Sequence, residues 1–465
     1  MKTFITLIVL LLSIGTYSQQ TWEILDAGTE FSAGIQSDGS LWVWGNNANG
    51  QLGTSDNNVR QTPTQVGSET DWQAIACGAF HMVALKTDGT LWAWGSNSVN
   101  QLGNGNTNDS NEPIQLGTET DWQFIAAGYA HNHAIKSDGT LWGWGWNLYG
   151  QIGDNTTVDI DVPTQIGADT DWQSVSSGIA HSMAIKSDGT LWTAGTNFTG
   201  QLGINGITES YVFTQVGSMN WLKVSCGHEY TSGIQSDSTL WSWGFNGNGQ
   251  LGLGNNNQAD EPTQVGTNDN WAKISCGAAS NFAINSLEEL YGTGYNQEGT
   301  LGDGSGANKN SFEYITDDVY NVWPAKGATD SGSVFGHHAL LLKNTSMNII
   351  CVTGANYTYQ LGNGNDAQIT MFECETGNLD DASLSENQMN NVLVYPNPTT
   401  DNITIKLDHD VPSIFKLYTS TGKEVMKKEF SNEEYLSLKS LDSGIYFYEI
   451  IDQSGRKNTG KITLE

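Results

Sequence analysis

The sequence predicts an all-β chain: a seven-bladed β-propeller of four-stranded blades, followed by a small β-sandwich. Three observations carry this reading. A repeat of about fifty residues returns seven times, each copy breaks into strand-length runs separated by turn residues, and the repeat stops near Gly377.

The repeat is counted on the tripeptide Gln-Leu-Gly or Gln-Ile-Gly, which begins at Gln51, Gln101, Gln151, Gln201, Gln250 and Gln360, with Thr300-Leu301-Gly302 in the remaining slot. The steps are 50, 50, 50, 49, 50 and 60 residues. The last copy therefore carries about ten extra residues, and the distance from Gly302 to His338 places most of them ahead of His338.

Within the second copy, Trp72 to Gly78, His81 to Leu85 and Leu91 to Gly95 are three short runs. Asp88-Gly89 separates the last two, and Asp38-Gly39, Asp138-Gly139 and Asp188-Gly189 recur at the same place. Asp-Gly accepts the positive φ of a tight hairpin turn, so these runs pair as antiparallel strands. A fourth run, such as Pro63 to Gly67, completes the sheet. No 3.6-residue period competes with this pattern. One such sheet would leave two wet faces and two open edges, and radial repetition covers both.

Met1-Lys2-Thr3, the apolar run Phe4 to Leu12 and the small residues through Ser18 read as a signal peptide over 1–18, too short to span a bilayer. The domain boundaries that follow are 19–376 for the propeller, 377–391 for a polar linker and 392–465 for the C-terminal module. Net charge is -31 and sits mainly on the propeller: residues 1–391 hold 10 Lys/Arg against 39 Asp/Glu, residues 392–465 hold 9 against 11. Such a surface repels phosphate backbones, which argues against nucleic acid and favours solubility or a basic partner. Cys77, Cys226 and Cys276 occupy one repeat position on three blades and read as buried packing residues, whereas Cys351 and Cys374 can pair in an oxidising compartment.

The phrases Gly-x-x-His, Asp-Gly-x-Leu-Trp-x-Trp-Gly and Gly-Gln-Leu-Gly, repeated over about residues 21–376, resemble the regulator of chromosome condensation repeat family. Its members are seven-bladed propellers. Later copies drift, with Tyr230 and Ser280 in place of the histidine and Cys351 in place of a tryptophan. The resemblance implies little about function, since the family's propellers serve nucleotide exchange on a nuclear GTPase, ultraviolet sensing in plants and enzyme inhibition. Exchange needs a partner in a compartment that a signal peptide leaves. The light-sensing motif Gly-Trp-Arg-His-Thr is matched here only as Gly78-Ala79-Phe80-His81 and its copies, without the tryptophan or arginine.

That comparison still points to a face. The two residues after each such glycine lie in the loop joining the first and second strands, and propeller partners bind such faces. Phe80, Tyr129 and Ile179 form an apolar arc there, with His228 and Glu229 at the same positions of the fifth copy. Exposed apolar clusters mark interaction surfaces, so these five residues are the candidate partner-binding site. The alternative is that they close the loops over their own blades.

Val394-Tyr395-Pro396-Asn397-Pro398, the segment Leu417 to Lys423, Ser443-Gly444-Ile445-Tyr446 and the terminal Gly460-Lys461-Ile462 are together similar to the type A C-terminal sorting domain of type IX secretion in Bacteroidetes. That similarity implies export across the outer membrane, contact with the secretion machinery, and release or attachment at the cell surface.

Chemistry-bearing motifs are sparse. Gly247 to Gly252 spells a dinucleotide fingerprint but is the repeat signature, without the strand, helix and acid that give the motif its physics. His131 and His133 share a strand face without an identifiable third ligand. Asp154, Asp159 and Asp161 offer oxygens to calcium at a spacing unlike a known calcium loop, and no metal or other cofactor is assigned. No catalytic residue is assigned either. The expected function is an extracellular interaction scaffold binding a protein or glycan. An extracellular hydrolase or lyase with acids in the propeller funnel is the alternative, and nucleotide exchange follows by resemblance alone.

Overall fold

The computed structural model describes residues 21–374, apart from 328, 331–332, 335–336 and 345–347, and residues 392–464, apart from 396–398, 400, 408–411, 420–422, 442 and 453–456. The expected signal peptide and the linker at 377–391 lie outside the described residues. The chain divides into two units, Met1–Leu379 and Asp380–Glu465.

In the first unit each repeat is one antiparallel sheet of four strands in chain order, and there are seven such blades. The second blade illustrates them, with strands Trp72–Cys77, His81–Lys86, Leu91–Gly95 and Ser110–Leu116. Its second strand is buried at every position because neighbouring blades cover both faces. The fourth strand is the outer, wetter edge, which is why the apolar pattern marks it poorly. In the first blade it runs Arg60–Gln65, earlier than the expected Pro63 to Gly67.

The ten extra residues of the last copy lie between Val319–Pro324 and His338–Lys343, where Thr329–Asp330 and Ser333–Val334 pair as a small ribbon. This is the place expected from the spacing.

Blades are joined by a repeated relay of buried hydrogen bonds. Asn132 Nδ2 donates to Gln101 O (2.8 Å), while its Oδ1 lies 2.8 Å from His81 Nε2 and accepts that proton. The same pattern links His131 to Ser182 (2.9 Å) and Ser182 to Gln151 O (2.8 Å), then His181 to Thr231 (3.1 Å) and Thr231 to Gln201 O (2.9 Å). It also closes the ring, since His338 meets Ser32 (2.9 Å) and Ser32 donates to Gln360 O (2.8 Å). Each of these histidines is fully buried and neutral, donating from Nε2. The repeated histidine thus fastens one blade to the next.

Apolar packing crosses the same interfaces. Phe31, Val43 and Leu52 of the first blade share a core with Trp72, Met82 and Trp94 of the second. The glycine of Gln-Leu-Gly is required here: a Cβ on Gly53 would come 2.7 Å from Trp94, and one on Gly103 would come 2.6 Å from Trp144. Both glycines also have positive φ, at 65° and 69°.

Three blades have lost that tryptophan, carrying Ala194, Thr293 or Thr353 instead. There the contact is made from the fourth strand. A Cβ on Gly153, Gly252 or Gly302 would meet Phe213, Phe312 or Phe372 at 2.6, 2.5 and 2.3 Å. These phenylalanines stand where tryptophan-bearing blades have Pro63, Pro113, Pro163 or Pro262. The interface thus keeps one aromatic plug and changes the strand that delivers it.

Cys351 and Cys374 form a disulfide between directly paired residues of the third and fourth strands of the last blade. Cys77, Cys226 and Cys276 are free and buried, as expected of packing residues.

The second unit is a small β-sandwich. One sheet holds Leu393–Tyr395, Asn402–Lys406 and Glu433–Ser437, and the other holds Ser413–Thr419, Glu424–Phe430, Gly444–Asp452 and Lys457–Leu464. Ile403, Ile405 and Leu436 from the first pack on Phe415, Leu417, Ile450 and Ile462 from the second.

Candidate functional site

In each blade the loop from first to second strand and the loop from third to fourth strand emerge at the same end, called here the loop face. The first set is short. In the second blade it is Gly78-Ala79-Phe80, and a Cβ on Gly78 would fall within 2.0–2.8 Å of the His81 ring folded beneath it. Neighbouring loops bond to one another around the channel mouth. Thr29 N donates to Ala79 O (3.1 Å), Ala79 N to Tyr129 O (3.1 Å), Tyr129 N to Gly178 O (3.0 Å) and Ile179 N to His228 O (3.4 Å).

This ring places the five expected residues. Phe80, Tyr129, Ile179, His228 and Glu229 are all half-buried on the loop face, whereas Ala79, Ala130, Ala180, Ala278 and Ala279 at neighbouring positions are buried. Phe80 and Tyr129 meet edge to face with centroids 6.4 Å apart. Tyr129, Ile179 and His228 line one recess at the channel mouth, together with Ala278 and Lys326. Burial lowers the His228 pKa to about 4, so its ring is neutral at pH 7, and burial raises the Glu229 carboxyl. Glu229 acts structurally through its backbone, its carbonyl accepting from Phe245 N (2.9 Å) and Thr199 Oγ1 (3.1 Å).

The aromatic surface is larger than the sequence reading placed it. From Tyr129 it continues to Trp146 (6.3 Å), from Trp146 to Tyr149 (5.6 Å), and from Tyr149 to Phe198 (6.3 Å). Phe198 is 63% exposed, and Leu148 between Trp146 and Tyr149 is 57% exposed. Five rings therefore form a continuous row over three blades. Trp146, Tyr149 and Phe198 come from the longer loops between third and fourth strands. Their signal is present in the sequence as Trp146-Asn147-Leu148-Tyr149, where the preceding copy has Ser96-Asn97-Ser98-Val99. It is visible only when the copies are compared for their differences.

Across the channel a second aromatic group stands on the same face. Tyr295 packs on His337 with centroids 4.2 Å apart, and Tyr357, 62% exposed, stands against Glu298. Burial raises the Glu298 carboxyl, and the contact with Tyr357 partly opposes that shift.

The channel itself is bridged by Lys326, from the extended loop of the last blade, whose Nζ donates to Ala127 O of the third blade (2.8 Å) and lies 4.0 Å from Asp26. Asp26, on the innermost strand of the first blade, accepts from Ala27 N (3.0 Å) and Cys77 N (2.7 Å). Its carboxylate satisfies backbone donors of two adjacent blades.

The residues weighed for metal chemistry are engaged elsewhere. His131 and His133 are fully buried, and His133 bonds to Ser177 (3.1 Å) and Ile152 O (3.2 Å). Asp154 accepts from Asn147 (2.9 Å) and Thr156 (2.7 Å), and Asp159 accepts from Asn147 N (2.9 Å). Among the described residues no group of three or more His, Cys, Asp or Glu is arranged to hold a metal ion.

Comparison with known proteins agrees with this architecture. Residues 15–271 match the model of the RCC1-like domain, and residues 393–465 match that of the secretion system C-terminal sorting domain. No curated protein sequence matches the chain. Among solved structures the chain is similar to human WBSCR16, at 20% identity and a TM-score of 0.62 over 70% of this chain and 88% of that one. It is also similar to Prp20p from Saccharomyces cerevisiae, at 17% identity and a TM-score of 0.64 over 81% of this chain and 90% of that one. At these identities the likeness speaks to fold alone. The sorting domain implies secretion or a surface location and an encounter with the type IX machinery. With a family model matching more than half of its length and the seven blades described above, this chain belongs to the RCC1-like domain family.

Proposed function

We propose that the protein is a non-catalytic extracellular binding scaffold, carried out of the cell by its C-terminal sorting domain, whose propeller takes a protein or glycan on its loop face. The observation that supports this reading is the row Phe80, Tyr129, Trp146, Tyr149 and Phe198, in which each ring contacts the next and the outer end is open to solvent. A contiguous, partly exposed aromatic surface is unfavourable in water unless a partner covers it. Rigid aromatic side chains are also those that interfaces favour, because they contribute large contact area at little entropic cost. Asp26, the acid beside the channel cation, serves backbone amides, which favours a scaffold over a funnel enzyme.

The test has two arms. Deleting 393–465 in the producing cell should retain the protein inside it, and export of the shortened chain would overturn the sorting reading. For binding, the full mature chain is compared with a Phe80→Ser, Tyr129→Ser, Ile179→Ser variant and a Trp146→Ser, Tyr149→Ser variant in capture from extracellular material. Leu287→Ser, at an exposed hairpin on the opposite end, serves as the control. Loss of a specific partner in both loop-face variants is expected. Unchanged capture of every partner would refute the site.

A further inference from the structure

We infer that the occupant of the loop face is a cationic protein segment, bound in extended form with arginine or lysine side chains stacked on the row from Phe80 to Phe198. This rests on the binding-scaffold reading above and adds the chemistry of the partner.

Charge is the first ground. Among the described residues the loops of this face contain nine Asp/Glu (Glu30, Asp56, Asp109, Asp154, Asp159, Glu229, Glu298, Asp303, Asp366) and one basic residue, Lys326. Lys326 is turned inward onto Ala127 O. Arg60 and Lys309, the first residues of two fourth strands, are paired with Asp56 (2.9 Å) and Asp303 (3.3 Å). The rings carry negative charge on their faces and stand on a loop face rich in carboxylates, which attracts a cation and repels an anion.

The chain shows the same chemistry filled internally. The Nζ atoms of Lys86, Lys136 and Lys186 each lie between two tryptophans, 4.5–4.8 Å from the ring centroids. Asp71, Asp121 and Asp171 complete these sites at 3.1–3.3 Å. Aromatic faces with an adjoining acid therefore hold an ammonium group three times within this fold. On the loop face, Glu298 is hydrogen-bonded to Tyr357.

Spacing favours a peptide over an isolated cation. Successive rings are 5.6–6.4 Å apart. Alternate side chains on one face of an extended strand stand about 6.6 Å apart, so a segment of about nine residues can place a side chain over each of the five rings. The opposite end of the propeller is acidic too, through residues such as Asp38, Asp88 and Asp138, so bulk attraction alone would act at both ends. Only ring-dependent binding identifies the loop face.

The test uses the full mature chain and a fluorescent decapeptide of alternating arginine and serine, read by anisotropy at physiological salt. A citrulline decapeptide keeps the size and removes the charge, and a set of neutral oligosaccharides is tested in parallel. Binding of the arginine peptide is expected, at least tenfold tighter than the citrulline peptide. Trp146→Leu with Tyr149→Leu, which keeps apolar area and removes the π faces, should weaken it at least about fivefold. Asp38→Asn with Asp88→Asn, at the other end, should leave it within twofold, and thermal melting checks that each variant is folded. Equal binding by the citrulline peptide, no binding of the arginine peptide, or unchanged binding by the leucine variant would overturn the cationic assignment. Oligosaccharide binding that needs Trp146 and Tyr149, without peptide binding, would overturn it while leaving the scaffold reading in place. Failure of all probes, with extracellular capture also indifferent to the rings, would remove both.

Discussion

The interchange of aromatic plugs between strands can be tested as a thermodynamic cycle. In the fourth blade, Ala194 and Phe213 together occupy the place taken in the third by Trp144 and Pro163. Phe213 packs on Trp172 (5.3 Å) and His133 (5.8 Å), joining the two blades. Phe213→Pro removes that ring and leaves a void beside Gly153, at a cost of about 2–4 kcal/mol. Ala194→Trp alone drives an indole into space the phenyl ring already fills, at a cost of about 1–3 kcal/mol. The double variant recreates the third blade's arrangement, with the new indole N–H facing Gln151 O as Trp144 faces Gln101 O (3.2 Å). It should lie within about 1 kcal/mol of the natural protein, giving a coupling of about 2 kcal/mol or more. The assay is equilibrium urea unfolding followed by tryptophan fluorescence, with the C-terminal unit's transition assigned separately. Additive single costs in the double variant would refute the shared-site reasoning.

Other expectations follow from the same contacts. Asn132→Ala strands His81 Nε2 and removes the bond to Gln101 O, so it should cost about 2–4 kcal/mol, whereas Asn132→Ser, which copies Ser182, should cost clearly less; equal losses would contradict the relay. Cys374→Ser opens a disulfide spanning 23 residues and should lower stability by about 3 kcal/mol, measured against the natural chain with and without reductant. Burial lowers His81 to about 4 and His181 and His338 to about 3, so the unfolded chain binds the additional protons between those values and about 6.5. Stability is therefore full above about pH 6.5 and falls as pH drops toward 3, by up to about 1.4 kcal/mol per pH unit for each histidine. A flat stability profile between pH 6.5 and 4 would contradict their buried neutral state.

The seven copies, the hairpin turns and the placement of the extra residues before His338 were legible because each rests on local chemistry: glycine at positive φ, strand-length runs and fixed spacing. The fourth strand was less legible because its outer face is wet, so no apolar alternation marks where Arg60–Gln65 begins. Phe80, Tyr129 and Ile179 were found because they depart from the alanines at equivalent positions. Trp146, Tyr149 and Phe198 escaped because they sit in long loops, where position along the chain says nothing about which loop lies beside which. Likewise the phenylalanine that replaces a lost tryptophan comes from another strand, so reading the tryptophan column alone shows only its absence. Divergence between copies was the informative signal in both cases.

The central claim, that the loop face is covered by an extracellular partner, is tested most directly by oxidative footprinting of the full mature chain with and without the producing organism's extracellular fraction. Modification of Tyr149 and Phe198 should fall on addition of that fraction, while Tyr314 and Tyr320, exposed away from the loop face, react as before. Unchanged modification of Tyr149 and Phe198 in material that captures the protein would contradict the account.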